Sequence, residues 1–152
     1  MNREILFRGK RVNNGKWVEG YLFDDGYQEP RHVFVGGLVI DEYKGTACDE
    51  WDINGINFCE VDPDTICQYT GENDKNGQEI FEGDILEAHL DDFFTDDVTR
   101  VRVTWENMKW CMVQKGMIPD PFETGEGKYW EVIGNIFDNQ ELIGETKDGE
   151  SR

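Results

Sequence analysis

Apolar and polar positions alternate along this chain with a period of two, and no stretch of useful length repeats at the 3.6-residue period of a helix. The clearest case is residues 98–105, where Val101, Val103 and Trp105 alternate with Arg100, Arg102 and Thr104, the pattern of a strand with one wet face. At the start, the Ile5/Phe7 and Leu6/Arg8 alternation predicts a first strand that ends in the turn Asn13-Asn14-Gly15. Residues 16–23 follow with Trp17, Tyr21 and Phe23 on one face and Val18 and Leu22 on the other, so this hairpin is expected to be covered on both sides. After the turn Asp24-Asp25-Gly26, residues 33–35 and 38–40 read as two short strands around a hairpin-type pair, Gly36-Gly37. Residues 41–64 are dense in acids, with Lys44 their only base, and predict an irregular acidic loop leading to a strand at 57–61.

The stretch 61–86 carries the most backbone punctuation. Pro63 fixes φ, Gly71, Gly77 and Gly83 permit left-handed backbone, and Asp74-Lys75-Asn76-Gly77 separates the β-prone runs 66–70 and 79–81. Two geometries fit this turn: type I′ with both Asn76 and Gly77 at positive φ, or type I with Gly77 alone as the left-handed residue of a G1 bulge. Glu82-Gly83-Asp84 is a tight entry into a strand at 85–90, Glu106-Asn107 turns the 98–105 strand into 108–114, and 117–128 is a loop holding Pro119, Pro121, Gly125 and Gly127. The last strand is 129–135, and Asp138 to Leu142 suits one turn of capped helix.

The resulting expectation is an all-β protein of short antiparallel strands and hairpins, with at most one short C-terminal helical turn. Its organisation is a single domain over 1–143: N-terminal hairpins at 1–40, an acidic loop region at 41–60, and a compact core at 61–143 that is a strongly bent sheet or a small SH3-like barrel. Residues 144–152 are a polar tail.

Composition narrows the class. At 152 residues the chain suits one domain and an ordinary hydrophobic core. The cysteines at 48, 59, 67 and 111 form no C-x-x-C pair, and no secretory h-region precedes them, so they read as reduced thiols of a cytoplasmic protein. The longest apolar run, 33–40, is interrupted by two glycines and is too short to span a bilayer, so no membrane partner is expected.

Charge changes the picture more. Against 33 acidic residues stand 15 basic ones, a net −18, yet residues 1–16 hold Arg3, Arg8, Lys10, Arg11 and Lys16 with Glu4 as their only acid. A basic arm on an otherwise acidic chain points to an acidic partner such as a second copy of the same protein; the plain alternative is solvated charge flanking a strand.

No catalytic, cofactor or metal site is assigned. Glu72, Asp74, Asn76 and Gly77 imitate the start of a calcium loop, but its first position is Glu, its twelfth is Gly83, and no helix flanks it. His32, His89, Cys48, Cys59, Cys67 and Cys111 lack zinc-ligand spacing and read as core thiols and isolated histidines. Asp91-Asp92 and Asp96-Asp97 read as solvated loop tips rather than a metal or acid–base pair. Trp17, Trp105, Trp110 and Trp130 fall in strands, where burial or contact with another protomer is the natural use. Direct nucleic-acid binding is disfavoured because a stacking groove needs surrounding positive charge.

Several motifs together resemble one family. R-E-I and F-R-G-K near the start, W-V-E-G at 17–20, V-D-P-D-T at 61–65, Q-Y-T-G at 68–71, D-K-N-G at 74–77, I-F-E-G-D-I at 80–85, V-I-G-N-I at 132–136 and Glu141-Leu142 are similar, in order and over 3–143, to the YopX family of phage and prophage proteins. The resemblance implies a small β-stranded protein encoded by bacteriophages or prophages, acting in the host bacterial cytoplasm, with no established molecular function and no accepted catalytic residues.

Three functions follow as expectations. The first is a non-enzymatic accessory protein that associates as a homo-oligomer or with a host protein. The second is an acidic decoy that imitates DNA; a compact chain about 40 Å across would have to match about 20 phosphate charges, which needs nearly all of the −18 on one face. The third is a metal-dependent enzyme using the acidic loops.

Overall fold

The computed structural model describes residues 2–42, 51–89 and 97–144, and the chain divides into two compact units: Ile5–Cys67, and Met1–Glu4 with Gln68–Arg152. All eleven strands among the described residues pair antiparallel, and helix appears only as three single 3-10 turns.

The N-terminal unit is a meander of four strands: β1 (Phe7–Lys10), β2 (Trp17–Asp24), β3 (Val33–Glu42) and β4 (Trp51–Val61), in spatial order β4-β3-β2-β1. Its first turn forms as read, with Gly15 at φ 69° and its N–H donating to the Arg11 carbonyl. The sheet curls on itself: Arg11 bridges Val61, the Val12 N–H donates to the Glu60 carbonyl, and the Asp62 N–H donates to the Lys10 carbonyl. Inside the curl lie Val33, Val35 and Val61, with Val18, Leu22 and Ile66 packed against them. Tyr21 and Phe23 face outward and are exposed. The hairpin is thus covered on one side only, because the curl supplies an inner face and no layer for the outer one.

Gly36 and Gly37 do not turn the chain. β3 runs straight through them, paired with β4 from Val33↔Val61 to Glu42↔Trp51, and β4 begins at Trp51 rather than at 57. Gly36 serves close approach, as Gly20 does: a Cβ on Gly36 would lie 1.9 Å from the Asn57 carbonyl oxygen, and one on Gly20 would lie 2.3 Å from the Gly36 oxygen, whereas one on Gly37 would meet nothing within 4 Å. Since β2 pairs with β3 only from Tyr21↔Gly36 to Asp24↔Val33, β3 and β4 continue past Gly36 as a two-stranded ribbon. After β4, a 3-10 turn at Pro63–Thr65 is capped by the Asp62 carboxylate, and Thr65 Oγ1 accepts the Lys10 N–H.

The C-terminal unit begins with the hairpin β5 (Cys67–Asn73) and β6 (Glu79–Phe81). Of the two turn geometries, the type I with G1 bulge forms: Gly77 stands at φ 81°, Asn76 is not at positive φ, and the Gly77 N–H donates to the Asp74 carbonyl. Next come β7 (Asp84–Ala88), β8 (Thr99–Glu106), β9 (Lys109–Val113), β10 (Asp120–Pro121) and β11 (Glu131–Asn135), in an open sheet ordered β10-β9-β8-β7-β11 that bends without closing into a barrel. Ile80, Leu86, Ala88, Val101, Val103, Phe122 and Trp130 form its core, joined by Trp110, Met112 and Val132. Val101 and Val103 point inward as their alternation requires, and the Arg100 Nε on the other face donates to Glu87 at 2.8 Å. The β8–β9 turn is Asn107-Met108, both left-handed, one residue later than read. The other 3-10 turns are Glu126–Tyr129, which runs from the expected loop into the expected last strand so that β11 starts at Glu131 rather than at 129, and Gln140–Ile143, where a C-terminal turn was expected.

Candidate association surface

The acidic turn that imitated a calcium loop is fully occupied by its own backbone. Asp74 is buried; its Oδ1 accepts the Asn76 and Gln78 N–H groups at 2.8 and 2.9 Å, and its Oδ2 accepts the Val132 N–H at 3.0 Å. A buried carboxylate holding three N–H donors ties the turn to β11. Asp84, the other buried acid, accepts the Phe81 N–H at 2.8 Å and shapes the β6–β7 turn.

The zinc candidates sit apart in role. Cys67 is buried with its thiol donating to the Thr65 carbonyl, Cys111 is buried in β9, and Cys59 is half-buried in β4. His32 is exposed and its Nδ1 lies 2.7 Å from Glu60 Oε1, while His89 is exposed at the end of β7. Among the described residues no three His, Cys, Asp or Glu side chains converge. Cys48, Asp91, Asp92 and Asp96 lie outside the described residues, and Asp97 is exposed.

Of the tryptophans, Trp130 is buried and Trp110 packs against the core. Trp105 is half-exposed, its ring edge-on to Trp110 at 4.9 Å beside the exposed Met108 of the turn. Trp17 is half-buried, with the Arg8 guanidinium 4.7 Å and the Lys10 ammonium 5.4 Å from its ring.

Titratable groups follow their surroundings. The Gly26 N–H and then Arg31 hold the Asp24 carboxyl below its ordinary value, and the bond to Glu60 raises His32. Burial raises both Glu82 and Tyr69.

An unpartnered feature lies on the ribbon. β4 is the terminal strand of its sheet, and among the described residues no backbone partner meets its outer edge from Gly55 to Cys59. Beside that edge Leu38, Ile40 and Ile56 are 51%, 48% and 71% exposed. Leu38 pairs with Ile56 across the strands, and Phe23 meets Phe58 edge-on at 6.3 Å on the outward face. Tyr21, Phe23, Phe58, Leu38, Ile56 and Ile40 thus form one apolar outer face. Sequence reading passed over it because the run 33–40 was split at Gly36-Gly37. A continuous apolar run with no polar alternate in its second half was the available signal.

Beside the ribbon the curl leaves an open depression of about 750 Å³ where Gly20, Gly36 and Gly37 contribute no side chains, lined by Arg11, Val18 and Val39 and also by Leu38 and Phe58 of the apolar face. From Ile5 onward, the basic segment read at residues 1–16 is built into this unit. β1 pairs with β2, and both backbone groups of Lys10 are taken by Thr65 and Asp62, so at Lys10 the arm is not an open edge. The return of the chain through the 3-10 turn after β4 covers it. Among the described residues no helix is long and apolar enough to cross a membrane.

Against known proteins, the chain matches the family model described as YopX protein over residues 6–144. No curated protein matches it. Among solved structures it is similar to one described as the crystal structure of protein EF1440 from Enterococcus faecalis, with a TM-score of 0.56 and 20% identity over 93% of this chain and 99% of that one. At that identity the likeness concerns the fold.

Proposed function

The chain belongs to the YopX family, and from that premise we propose that it works by protein association, first with further copies of itself, through the outer edge of β4 and the apolar face beside it. The observation that carries this reading is the conjunction of an unpaired strand edge with Leu38, Ile40 and Ile56 exposed along it. An open edge offers a row of N–H and C=O groups to another chain, and apolar side chains beside it add the burial that backbone pairing lacks. Natural edges are normally blunted by charge or proline; between Gly55 and Cys59 β4 has neither.

Charge favours a head-to-tail contact over a two-fold one. Pairing β4 with itself about Ile56 sets Asp52 opposite Glu60, a like-charge pair, whereas the basic segment 3–12 of a neighbouring copy complements those acids. A phage-encoded accessory role in a host cytoplasm is consistent with such a module.

The test is the mass in solution at micromolar concentration. The intact chain is expected above 17.6 kDa by light scattering, and Leu38→Glu with Ile56→Lys is expected to return it to 17.6 kDa with its fold intact. A monomeric wild type refutes self-association. An oligomer that persists in the double variant places the interface elsewhere.

A further inference from the structure

Arg11 is half-buried at the open depression of the curled sheet, and its Nε is shut off from solvent with no hydrogen-bond partner. In a chain with 33 acids, none of the described ones pairs with this guanidinium. Its backbone cannot swing away, because Arg11 bridges Val61 and the next N–H, that of Val12, donates to the Glu60 carbonyl. A desolvated donor without an acceptor costs free energy, and Arg11 itself lines the depression that an anion would enter. Around it the lining is mostly apolar, with Val18 from β2, Val39 from β3 and Cys59 from β4, and it holds Glu19 and Asn57 as polar residues. Gly37 lines it without a side chain, and a Cβ there would meet nothing within 4 Å, so that part of the depression stays open. About 750 Å³ is within the size range of small-ligand sites, roughly 300–1,000 Å³, and the mouths of curled and closed sheets are common places for them.

We propose that this depression binds an amphipathic monocarboxylate, with the carboxylate on the Arg11 guanidinium and the aliphatic chain along Val18, Val39 and Cys59. A planar guanidinium fork matches a planar carboxylate in a bidentate arrangement. A single positive charge lines the site and Glu19 lines it too, which selects against a dianion such as a phosphate monoester. The depression shares Tyr21, Leu38, Ile40 and Phe58 with the face proposed for association, but the proposal concerns a small ligand held by Arg11 and does not rest on the association reading.

Calorimetry with decanoate, decanol and acetate separates head from chain. Decanoate is expected to bind saturably and at least about tenfold more tightly than either decanol, which lacks the charge, or acetate, which lacks the chain. Arg11→Gln is expected to reduce decanoate to the level of decanol, and Val39→Trp, which fills the lining, to abolish binding. Both variants should keep the wild-type unfolding midpoint. If Arg11→Gln fails to fold, Arg11→Lys replaces it, and loss of the planar fork is expected to weaken decanoate severalfold. No saturable binding by the wild type, or equal binding of decanoate by every Arg11 variant that folds, overturns the proposal. A change of oligomeric mass in Arg11→Gln with no decanoate binding by the wild type overturns it too, and assigns Arg11 to a contact between copies.

Discussion

In the C-terminal unit both ends of the sheet are closed to further pairing; in the N-terminal unit one end is open. β10 is two residues long and ends in Pro121, which has no N–H to offer. At the other end, the outer edge of β11 is taken up within the unit. The Val132 N–H goes to the Asp74 carboxylate, the Trp130 carbonyl accepts the Lys75 N–H, and the Asn135 N–H goes to Asn139 Oδ1. β4, with the apolar ribbon face at its side, has no such protection between Gly55 and Cys59. Two sheets of one acidic chain therefore treat the same hazard oppositely, which is the pattern expected when one edge is kept for a partner and the others are not. The difference is not one of charge sign: the N-terminal unit has 6 basic and 12 acidic residues, the other 9 and 21, so both are acidic.

Changing the glycines of β3 breaks the comparison most severely. Gly36→Val is expected to lower stability by about 3 kcal/mol or more, because its Cβ meets the Asn57 carbonyl oxygen at 1.9 Å and the backbone must move. Gly37→Val, whose Cβ meets nothing within 4 Å, is expected to change the denaturant midpoint little. Equal effects of the two would show that Gly36 is not a close-approach position.

Removing the blunting device is the next largest effect. Asp74→Ala leaves the N–H groups of Asn76, Gln78 and Val132 without their acceptor, at a cost of about 2–3 kcal/mol. It also bares part of the edge of β11, so increased self-association of the variant is expected by light scattering. A stable variant with unchanged mass would contradict the assigned role of this carboxylate. A smaller loss, about 1–2 kcal/mol, is expected for Gly77→Val from left-handed backbone alone, since space around Gly77 is open. An unchanged unfolding midpoint would rule out the G1-bulge turn.

The smallest effect separates the units by pH. Glu60 raises His32 in the folded N-terminal unit above its ordinary 6.5. That stabilisation is fully present below 6.5 and is lost as pH rises through the higher folded value. In the C-terminal unit burial raises Glu82 above 4.5, so its stabilising contribution is present below 4.5 and disappears as pH rises through the higher folded value. Unfolding midpoints measured from about pH 4 to about pH 8.5 should therefore show two separate declines. His32→Gln is expected to flatten the upper one and Glu82→Gln the lower. A single decline unaffected by His32→Gln would mean that the contact with Glu60 has no thermodynamic weight.

Much of the fold was legible. The period-two run at 98–105 became β8, and the turns at Gly15, Gly26 and Gly77 formed where Asn, Asp and Gly placed them. The alternation also named Val101 and Val103 as core. The misreadings are of another kind. Gly36-Gly37 was taken for a turn because local chemistry cannot distinguish a glycine needed for φ from one needed for close approach. The start of β4 at Trp51 was hidden because acids depress strand propensity locally, while pairing with residues of β3 overrides it. The exposed apolar face of the ribbon went unread because splitting the run 33–40 at Gly36-Gly37 hid its continuity.

Sequence alone therefore determined the fold class, the family resemblance and the turn chemistry, because each depends on residues within a few positions of one another, on φ preferences, Asx side chains and strand period. Only the tertiary structure decided that Tyr21 and Phe23 face outward, that Asp74 reaches across to Val132, that β4 ends its sheet, and that Arg11 comes back to Val61 at an unfilled depression. Those facts join residues from 15 to 58 positions apart, as in Tyr21 against Gly36 and Asp74 against Val132, and arise from the order in which strands pair and curl. No local pattern encodes which edge or face that order leaves open.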